Sequence, residues 1–536
     1  MFNSLKKLTK ALNQKYTLGL FLLLYFGLLV YINSTYSFIG RGDYANYANV
    51  ARNLLSGKGF SVDYLAFHYI NYNTLTHPED MWPILQPVFL AISFFFLGIT
   101  PFAARLPNAI FLTALVALTY FFGQKLFNKK VALVASILTG LNSSLIVYST
   151  TWITSDIFLA LLSLIIFYLG YRAILSAQEG KLSLKLMVGL GILSGLAILQ
   201  KPMGALFPFV YFLILFFYYR RNIPRFVTPG LIFIASTLLI SGGFFIRNFI
   251  LFGTFLLPTE HYLGYLIKYF PYENIFRIYY DNPPNLSTWL NYGLLDFLKV
   301  NFSYFRYSVD TFIYKDLLVP YTVIIFSLIE IYKIQDKRKY FFLPIICLIS
   351  IMTLLMGTYW HYESRYYAMF IPVLNMLAVS GLLKIVTSFN LRSVLLILTL
   401  GFITFIPSAK AVFEGVKPKI TDPSLIVYNW IRENTPRDSV ITTLTPWELN
   451  FHAERKTITI PFEDKETILW MAKKYNSNYL ELEFLNEIKR PSLKELYSGQ
   501  NTNEFSKIYQ VDGKIYLYQI NWQNITLDEK GKPSWY

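Results

Sequence analysis

Long apolar runs separated by short basic clusters make up about the first three quarters of the chain. A helix of roughly 17 to 25 apolar residues is long enough to cross a bilayer. Eleven runs approach or reach this length and are predicted to span a membrane, at 17–37, 104–124, 131–149, 156–174, 185–200, 204–219, 226–246, 317–334, 341–358, 366–386 and 392–408. The pattern predicts a mainly α, polytopic membrane protein.

A further apolar segment, 83–99, contains two prolines and follows the polar stretch His77-Pro78-Glu79-Asp80. Counting this segment as a span would reverse the orientation of every later one. When it is left out, the basic clusters between spans all fall on the side of the N-terminus, which the positive-inside rule assigns to the cytoplasm. We therefore predict an interfacial or re-entrant helix at 83–99 in an integral protein of the cell (inner) membrane. The N-terminus is predicted inside and the C-terminus outside.

After about residue 410 the long apolar runs stop and the charge density rises. The pattern predicts one helix, two strands and a hairpin around Asp512-Gly513, since this dipeptide favours a two-residue turn. These elements are expected at 424–432, 439–442, 457–460, 507–511 and 514–520. We predict a membrane domain over 1–410, with outer loops at 38–103 and 247–316, followed by a small outer α/β domain over 411–536.

Composition supports this class of protein and excludes others. Hydrophobic residues make up 54% of the chain and charged residues 15%, whereas soluble proteins carry about 25% charged residues. The net charge of +16 does not indicate a nucleic-acid partner, because the basic residues lie in short clusters between apolar runs. The one cysteine, Cys347, lies in an apolar run, which excludes a disulfide framework and a cysteine-based zinc site.

Ionisable residues are nearly absent from the middle of the predicted spans, and four lie at outer ends: Asp156, Lys201, Arg247 and Arg365. Charge near the bilayer centre usually marks an ion or substrate path. Its absence argues against a pump, and its collection at one face predicts a site at the outer interface.

Asp43 lies directly beyond the first predicted span, at the start of a segment with helical spacing of apolar residues up to Leu55. Two interpretations of Asp43 are open from the residues alone. It either caps the free N–H groups of an interfacial helix, or it is an acid/base group at the membrane surface.

The run Gly42-Asp43-Tyr44-x-x-Tyr47-Ala48-x-x-x-x-Asn53-Leu54-x-x-Gly57-x-Gly59-Phe60 resembles the first outer loop of the GT-C glycosyltransferases. The resemblance is to glycosyltransferase family 39, which includes protein O-mannosyltransferases and the aminoarabinose transferases of lipid A. Further matches follow in the family's order: Arg105-Leu106-Pro107-Asn108, Gly123-x-x-Leu126-Phe127, Thr154-Ser155-Asp156, Leu199-Gln200-Lys201, Arg247-Asn248-x-x-x-x-Gly253 and Glu363-x-Arg365-Tyr366. The resemblance covers about residues 15–390.

The resemblance implies inverting transfer of a sugar from a polyprenyl-phosphate donor to a hydroxyl or amine of a lipid, glycan or protein acceptor at the outer face. Asp43 would take the acceptor proton as general base, and Asp156 would orient the acceptor or a metal. Lys201, Arg247 and Arg365 are expected to bind the donor phosphate. The competing interpretations are a helix-start role for Asp156, interface anchoring for the cations, and pairing of Arg365 with Glu363.

Five residues are expected to line the acceptor pocket: Tyr44, Tyr47, His77, His361 and Glu363. The two histidines, with Glu79, Asp80 and Glu363, carry oxygen and nitrogen ligands. Their spacing is not diagnostic of a metal site, so they are expected to be solvated loop residues. The cofactor is unknown: a divalent metal is compatible with the sequence but not required by it.

Two departures from the family pattern predict a different substrate pocket. Tyr44 stands where an acidic residue or glycine is usual, and Trp82-Pro83-Ile84-Leu85-Gln86-Pro87 replaces a Pro-Pro element.

Two other functions remain open. An O-antigen-type polymerase or ligase would rely on Arg and His in the loop 247–316. A transporter or flippase for lipid-linked sugars would show inverted repeats and polar midplane residues, and the sequence contains neither. Membrane lipids are partners of the protein under all these hypotheses.

Overall fold

The computed structural model of the chain describes residues 14–266, 272–285, 287–288, 293–314, 318–334, 336–358, 363–385, 399, 406–407, 409–416, 422–483 and 489–536. Its helices are α1 Gln14–Ser34, α2 Asp43–Leu55, α3 Leu85–Leu97, α4 Pro101–Leu126, α5 Lys129–Gly140, α6 Ser143–Thr150, α7 Asp156–Gln178, α8 Leu184–Gln200, α9 Leu206–Tyr219, α10 Pro224–Phe252, α11 Pro258–Leu266, α12 Leu294–Tyr314, α13 Tyr321–Lys333, α14 Lys339–Thr358, α15 Ile371–Ile385, α16 Pro423–Asn434, α17 Pro446–Ala453 and α18 Lys465–Lys474. Its strands are β1 Ser61–Val62, β2 Tyr64–Leu65, β3 His77–Pro78, β4 Val440–Thr443, β5 Lys456–Thr459, β6 Ser477–Glu483, β7 Phe505–Val511 and β8 Ile515–Ile520. Short 3₁₀ helices lie at Pro202–Ala205, Tyr272–Phe276, Ser364–Phe370, Pro491–Ser498, Trp522–Asn524 and Glu529–Gly531.

Within these described ranges, six helices are long and apolar enough to cross a membrane. They are Pro101–Leu126, Asp156–Gln178, Pro202–Tyr219, Pro224–Phe252, Lys339–Gly357 and Ser364–Ile385. Each overlaps one predicted span. The predicted spans 17–37 and 185–200 correspond to the shorter apolar helices Leu18–Ser34 and Leu184–Gln200. The total of eleven spans and their orientation stay predictions.

The predicted span 131–149 is not one straight helix. It consists of α5 and α6, bent by 51°. Asn142 is the reason: its side-chain oxygen accepts the Leu145 N–H at 3.0 Å and so starts a new helix. Its side-chain nitrogen donates to the Leu318 carbonyl at 2.7 Å. A polar side chain that satisfies backbone groups inside a bundle permits a break in the helix.

One other predicted span differs from the structure, and another is not tested by it. In place of 317–334, α13 begins at Tyr321 after Pro320 and has 13 residues. The predicted span 392–408 lies outside the described residues, apart from 399 and 406–407.

The segment 83–99 forms α3, a helix of 13 residues. At 1.5 Å per residue such a helix is about 20 Å long, less than the roughly 30 Å apolar core of a bilayer. The buried face of α3 carries Leu90 and Phe94, which pack with Ala48 of α2 and Ala104 of α4. The short helix is compatible with the predicted interfacial position, which stays a prediction.

The C-terminal part of the chain contains a six-stranded sheet in the order β2-β5-β4-β6-β8-β7. The first four strands are parallel, and β8 pairs antiparallel with both β6 and β7. Asp512 and Gly513, both with positive φ, form the predicted turn before β8. The small α/β domain is therefore confirmed.

Strand β2 comes from the first outer loop rather than from the C-terminal region. Its residues Tyr64 and Leu65 pair with Thr457 and Ile458 of β5. The sheet thus joins the predicted loop 38–103 to the region 411–536, and helix α2, which belongs to that loop, contacts α17 of the C-terminal region.

Candidate active site

Asp43 is the first residue of α2, and Gly42 occupies the N-cap position without a side-chain capping bond. The Asp43 carboxylate instead meets Arg365, whose Nη2 lies 2.8 Å from Oδ2. The interpretation of Asp43 as an N-cap is therefore wrong for this structure. Glycine is required before it, because the φ of +57° at Gly42 is unfavourable for other residues.

Asp156 is the first residue of α7 and is 2% exposed. Its Oδ1 accepts a hydrogen bond from Nζ of Lys201, the residue that follows α8. The Lys201 ammonium also lies 3.9 Å from the ring centre of Tyr366, a favourable position for a cation over an aromatic face. Two predicted site residues from different helix ends are thus paired directly.

Arg365 links these pairs. Besides Asp43, its Nε lies 2.9 Å from Glu363 Oε2 and 3.9 Å from Asp156 Oδ2. We call Asp43, Asp156, Lys201, Glu363 and Arg365 the outer cluster. It holds three carboxylates and two cations. Side-chain exposure is 26% for Asp43 and 30% for Glu363, so a substrate can approach the cluster from this side.

A chain of buried amides holds the start of α7. Gln200 Nε2 donates to Gln86 Oε1 and to the Ser155 carbonyl, both at 2.8 Å. Gln86 in turn donates to Asn108 Oδ1 at 3.3 Å. Buried polar groups that satisfy one another hold a single arrangement. The residues flanking Asp156 and Lys201 in the sequence motifs therefore set the position of the ion pair.

Tyr44 and Tyr47 project from the first turns of α2. The Tyr44 ring stacks on Trp152, with ring centres 6.0 Å apart. The Tyr47 hydroxyl donates to Ser155 Oγ at 3.4 Å, which connects α2 to the start of α7. Burial raises the pKa of both phenols well above the ordinary value. Both stay protonated at neutral pH, so neither competes with Asp43 as a base.

Arg247 does not join the outer cluster. Its Nη2 donates to the backbone carbonyls of Phe60 and Glu79, at 3.2 and 2.8 Å, and its Nη1 donates to Asn248. These contacts attach the end of α10 to the first outer loop. The structure therefore gives Arg247 an anchoring position, and its predicted contact with a donor phosphate stays untested.

The acidic and histidine residues of the loop 38–103 mostly contact other groups of the same loop. His77 stacks on Tyr72, 3.8 Å between ring centres, and a ring nitrogen contacts the Tyr64 carbonyl at 3.0 Å. Glu79 accepts the N–H groups of Met81 and Trp82 at 2.8 and 2.9 Å, and Asp80 accepts a hydrogen bond from the Tyr72 hydroxyl. With exposures of 7% for His77 and 3% for Glu79, the expectation of solvated loop residues is wrong for these two.

The predicted pocket residue His361 lies outside the described residues. Among the residues that are described, no group of three or more His, Cys, Asp or Glu has an arrangement that would hold a metal ion. The metal requirement stays open.

Glu260 belongs near this site and was missed from the sequence, because it lies in α11 within a long loop and in no matching motif. Loss of hydration raises its pKa to about 8, Lys201 lowers it and Asp43 raises it. These interactions put Glu260 within electrostatic range of the outer cluster, and its carboxyl is mostly protonated at pH 7.

An open polar cleft of about 870 Å³ lies elsewhere, between the first outer loop and the C-terminal domain. Its buried arginines are engaged by the protein. Arg52 donates to the side-chain and backbone oxygens of Asn450, and Arg455 donates to the carbonyl of Thr435. The outer cluster, which brings together charged residues of four sequence motifs, is the stronger candidate for catalysis.

Comparison by sequence identifies one family. The family described as dolichyl-phosphate-mannose-protein mannosyltransferase matches residues 81–241. No protein with a curated description matches the chain by sequence.

Solved structures share the fold over nearly the whole chain. The crystal structure of ArnT from Cupriavidus metallidurans bound to undecaprenyl phosphate has a TM-score of 0.60 at 12% identity, covering 94% of this chain and 97% of that one. The oligosaccharyltransferase AglB from Archaeoglobus fulgidus, in complex with an inhibitory peptide and a dolichol-phosphate, has a TM-score of 0.59 at 13% identity and covers 97% of this chain and 76% of that one. A further structure of the Archaeoglobus fulgidus oligosaccharyltransferase, in complex with Zn and sulfate, has a TM-score of 0.57 at 13% identity and covers 95% and 74%.

The predicted mainly α fold with a small C-terminal α/β domain is confirmed by these neighbours and by the sheet. At these identities the structural likeness establishes the fold rather than a substrate. The chain has the GT-C fold, and its residues 81–241 are similar to the dolichyl-phosphate-mannose-protein mannosyltransferase family.

Proposed function

We propose that the protein is an inverting membrane glycosyltransferase that uses a polyprenyl-phosphate sugar donor and an acceptor hydroxyl or amine at the outer face. The observation that carries this proposal is the ion pair of Asp43 with Arg365 inside a partly exposed cluster that includes Asp156 and Lys201. The lipid phosphates bound to ArnT and AglB support a donor of this class.

Asp43 is the proposed general base. An acceptor oxygen or nitrogen attacks the anomeric carbon on the face opposite the phosphate, and the bond from that carbon to the phosphate oxygen breaks. The electron pair leaves with the polyprenyl phosphate, and the acceptor proton goes to the Asp43 carboxylate. Removing that proton during attack contributes about 100- to 10,000-fold to rate in enzymes of this kind.

Arg365 and Lys201 are the proposed partners of the departing phosphate. Both cations form ion pairs in the structure. Arg365 pairs with Asp43 and Glu363, and Lys201 pairs with Asp156. A donor phosphate would compete with Asp43 for the Arg365 guanidinium, because both present anionic oxygens to the same N–H groups. Donor binding would then release Asp43 to accept a proton.

Asp156 has a supporting task in this proposal. It holds the Lys201 ammonium and orients it toward the cluster.

The test uses the full-length protein in liposomes with a panel of polyprenyl-phosphate sugars, measuring release of polyprenyl phosphate in the presence of acceptor lipids, glycans or peptides. Asp43→Asn keeps the size and the hydrogen-bond acceptor but cannot take up the proton, so transfer should fall at least about 100-fold. Donor binding should persist.

A matched control is Asp464→Asn. Asp464 also stands at a helix start, where it accepts the Thr467 N–H at 2.8 Å on the exposed surface of the C-terminal domain. This variant should retain parental transfer. Transfer by Asp43→Asn at the parental rate would refute the base assignment.

A further inference from the structure

Two buried glutamates of the C-terminal domain, Glu448 and Glu483, contact the residues just before Asp43, and a third, Glu481, lies within electrostatic range of Arg41. Glu448 lies on α17, and Glu481 and Glu483 lie at the end of β6. Their exposures are 2%, 0% and 0%. Buried carboxylates are costly unless they are paired or protonated, so their contacts identify what they hold in place.

Glu483 and Arg41 form a bidentate ion pair. Nη2 of Arg41 lies 2.8 Å from Oε1 and Nη1 lies 3.1 Å from Oε2. Parallel N–H···O bonds of this kind set the orientation of both side chains as well as their distance. The partners are 442 positions apart in the sequence.

Glu448 binds the next residue along the chain. Its Oε1 accepts the backbone N–H of Gly42 at 3.0 Å. In a capping box, a glutamate three residues into a helix accepts the N–H of the N-cap residue. Here that position is Ala45, which has no such group, and Glu448 supplies the same bond from another domain.

Other contacts from α17 secure both ends of the same segment. His452 Nε2 accepts the Ile39 N–H at 3.2 Å, and Asn49 donates to the Trp447 carbonyl at 2.8 Å. Asp43 is therefore fixed by two sets of contacts. The C-terminal domain binds the backbone just before Asp43, and Arg365 binds the Asp43 side chain.

We propose that the C-terminal domain positions the catalytic base: Glu483 and Glu448 hold Arg41 and Gly42, so that Asp43 enters the outer cluster in the orientation that accepts a proton. This role rests on the proposed function of Asp43. Glu448, Glu483 and Arg41 are positioning residues, since they act through Asp43 rather than on the substrate.

The central test compares Glu448→Ala with Glu448→Gln in the full-length protein. A glutamine still accepts the Gly42 N–H, whereas alanine cannot. Misplacement of a reacting group by about 1 Å can cost on the order of 100-fold. We expect kcat to fall about 10- to 100-fold in Glu448→Ala with the donor KM unchanged, and Glu448→Gln to recover most of that loss.

Hydrogen exchange of the amides at 40–46 provides a readout independent of turnover. It should accelerate in Glu448→Ala and stay near the parental rate in Glu448→Gln. If Glu448→Ala fails to accumulate in the membrane, Arg41→Gln replaces it, because the Arg41 side chain is 44% exposed and a glutamine there can still donate a hydrogen bond to the buried Glu483. Parental kcat in a folded Glu448→Ala or Arg41→Gln variant would overturn the proposal.

Glu463→Gln is the matched control. Glu463 also pairs with an arginine of an outer loop, at 3.1 Å from Arg277, but this pair does not contact α2. Parental kcat is expected for this variant. A loss equal to that of Arg41→Gln would mean that any loop–tail contact matters, and the specific role of Glu448 and Glu483 would be refuted.

Failure of this proposal is distinguishable from failure of the proposed function. In the double variant Arg41→Gln with Asp43→Asn, a residue that acts only through Asp43 adds no further loss. Additive losses would reject the positioning role while leaving Asp43 as the base. Parental transfer by Asp43→Asn alone would reject the base assignment itself.

Discussion

Two groups of buried charges lie in different parts of this molecule and differ in their ratio of carboxylates to cations. The inner cluster consists of Glu330, Arg338 and Lys384, with Glu330 3.6 Å from Arg338 and 2.9 Å from Lys384. Here Glu330 is shared by two cations, and Arg338 also pairs with Asp336 at 2.7 Å, so two carboxylates balance two cations. The outer cluster has three carboxylates for two cations.

The way the two groups are assembled also differs. The inner cluster joins α13, the turn that follows it, and the end of α15, which pack closely against one another. It neutralises a buried charge where helices meet. The outer cluster joins helix starts and ends from four distant parts of the chain, and two of its carboxylates remain partly exposed. Unlike the inner cluster, the outer cluster therefore keeps an excess of carboxylates at a partly exposed position.

Arg365→Gln should have the largest effect of the variants that test this difference. It removes both the proposed phosphate partner and the side-chain contact of Asp43, so kcat/KM should fall about 100- to 1,000-fold. The measurement is transfer in liposomes at saturating and limiting donor.

Its control is Arg338→Gln in the inner cluster, which should change kcat/KM less than about 2-fold. An equal loss in both variants would remove the functional distinction between the clusters.

Asp156→Asn should have an intermediate effect. The amide can still accept the Lys201 N–H, so the position of the ammonium is largely kept while the charge is lost. We expect kcat to fall about 10-fold, since a hydrogen bond to a charged group is worth about 1.5 to 3 kcal/mol. A fall as large as that of Asp43→Asn would make Asp156 an equal candidate for the base.

Glu330→Gln should affect stability but not transfer. Removing the carboxylate leaves Lys384 without its partner, whereas Arg338 keeps its ion pair with Asp336. The cost is about 1 to 3 kcal/mol for partly exposed groups. Thermal unfolding in detergent should occur at a lower temperature, and transfer per folded molecule should equal that of the parent. Reduced turnover per folded molecule would give the inner cluster a part in function.

The smallest expected effect is the change with pH in the stability of the C-terminal domain. Burial raises the pKa of Glu448 to about 7 and that of Glu481 to about 8. Both carboxyls keep a proton in the folded domain over a range where the unfolded chain has lost it. The free energy of unfolding should therefore decrease as pH rises from about 5 to about 8.

Hydrogen exchange of the strands β4 and β6 at several pH values measures this dependence. Glu481→Gln carries no titrating proton at that position, so its stability should vary less with pH than that of the parent. An identical pH dependence in parent and variant would contradict the prediction for Glu481.

The sequence alone predicted most of the helices of the membrane domain. Apolar runs and basic clusters are local patterns, so they predict spans within a few residues, as in α7, where the predicted 156–174 became Asp156–Gln178. Polar residues at helix ends were likewise visible, and four of them, Asp43, Asp156, Lys201 and Arg365, meet in the structure.

Tertiary structure alone decided which charges pair. Arg365 and Asp43 are separated by 322 positions, and no local pattern states that they are 2.8 Å apart. In the sequence, Arg247 and Arg365 are both cations at a predicted outer helix end. In the structure, Arg247 binds backbone carbonyls of the first loop instead of joining the cluster. Strand β2 and the glutamates around Arg41 show the same principle. Helix formation depends on neighbours along the chain, whereas an ion pair depends on distances that exist only after the whole chain has packed.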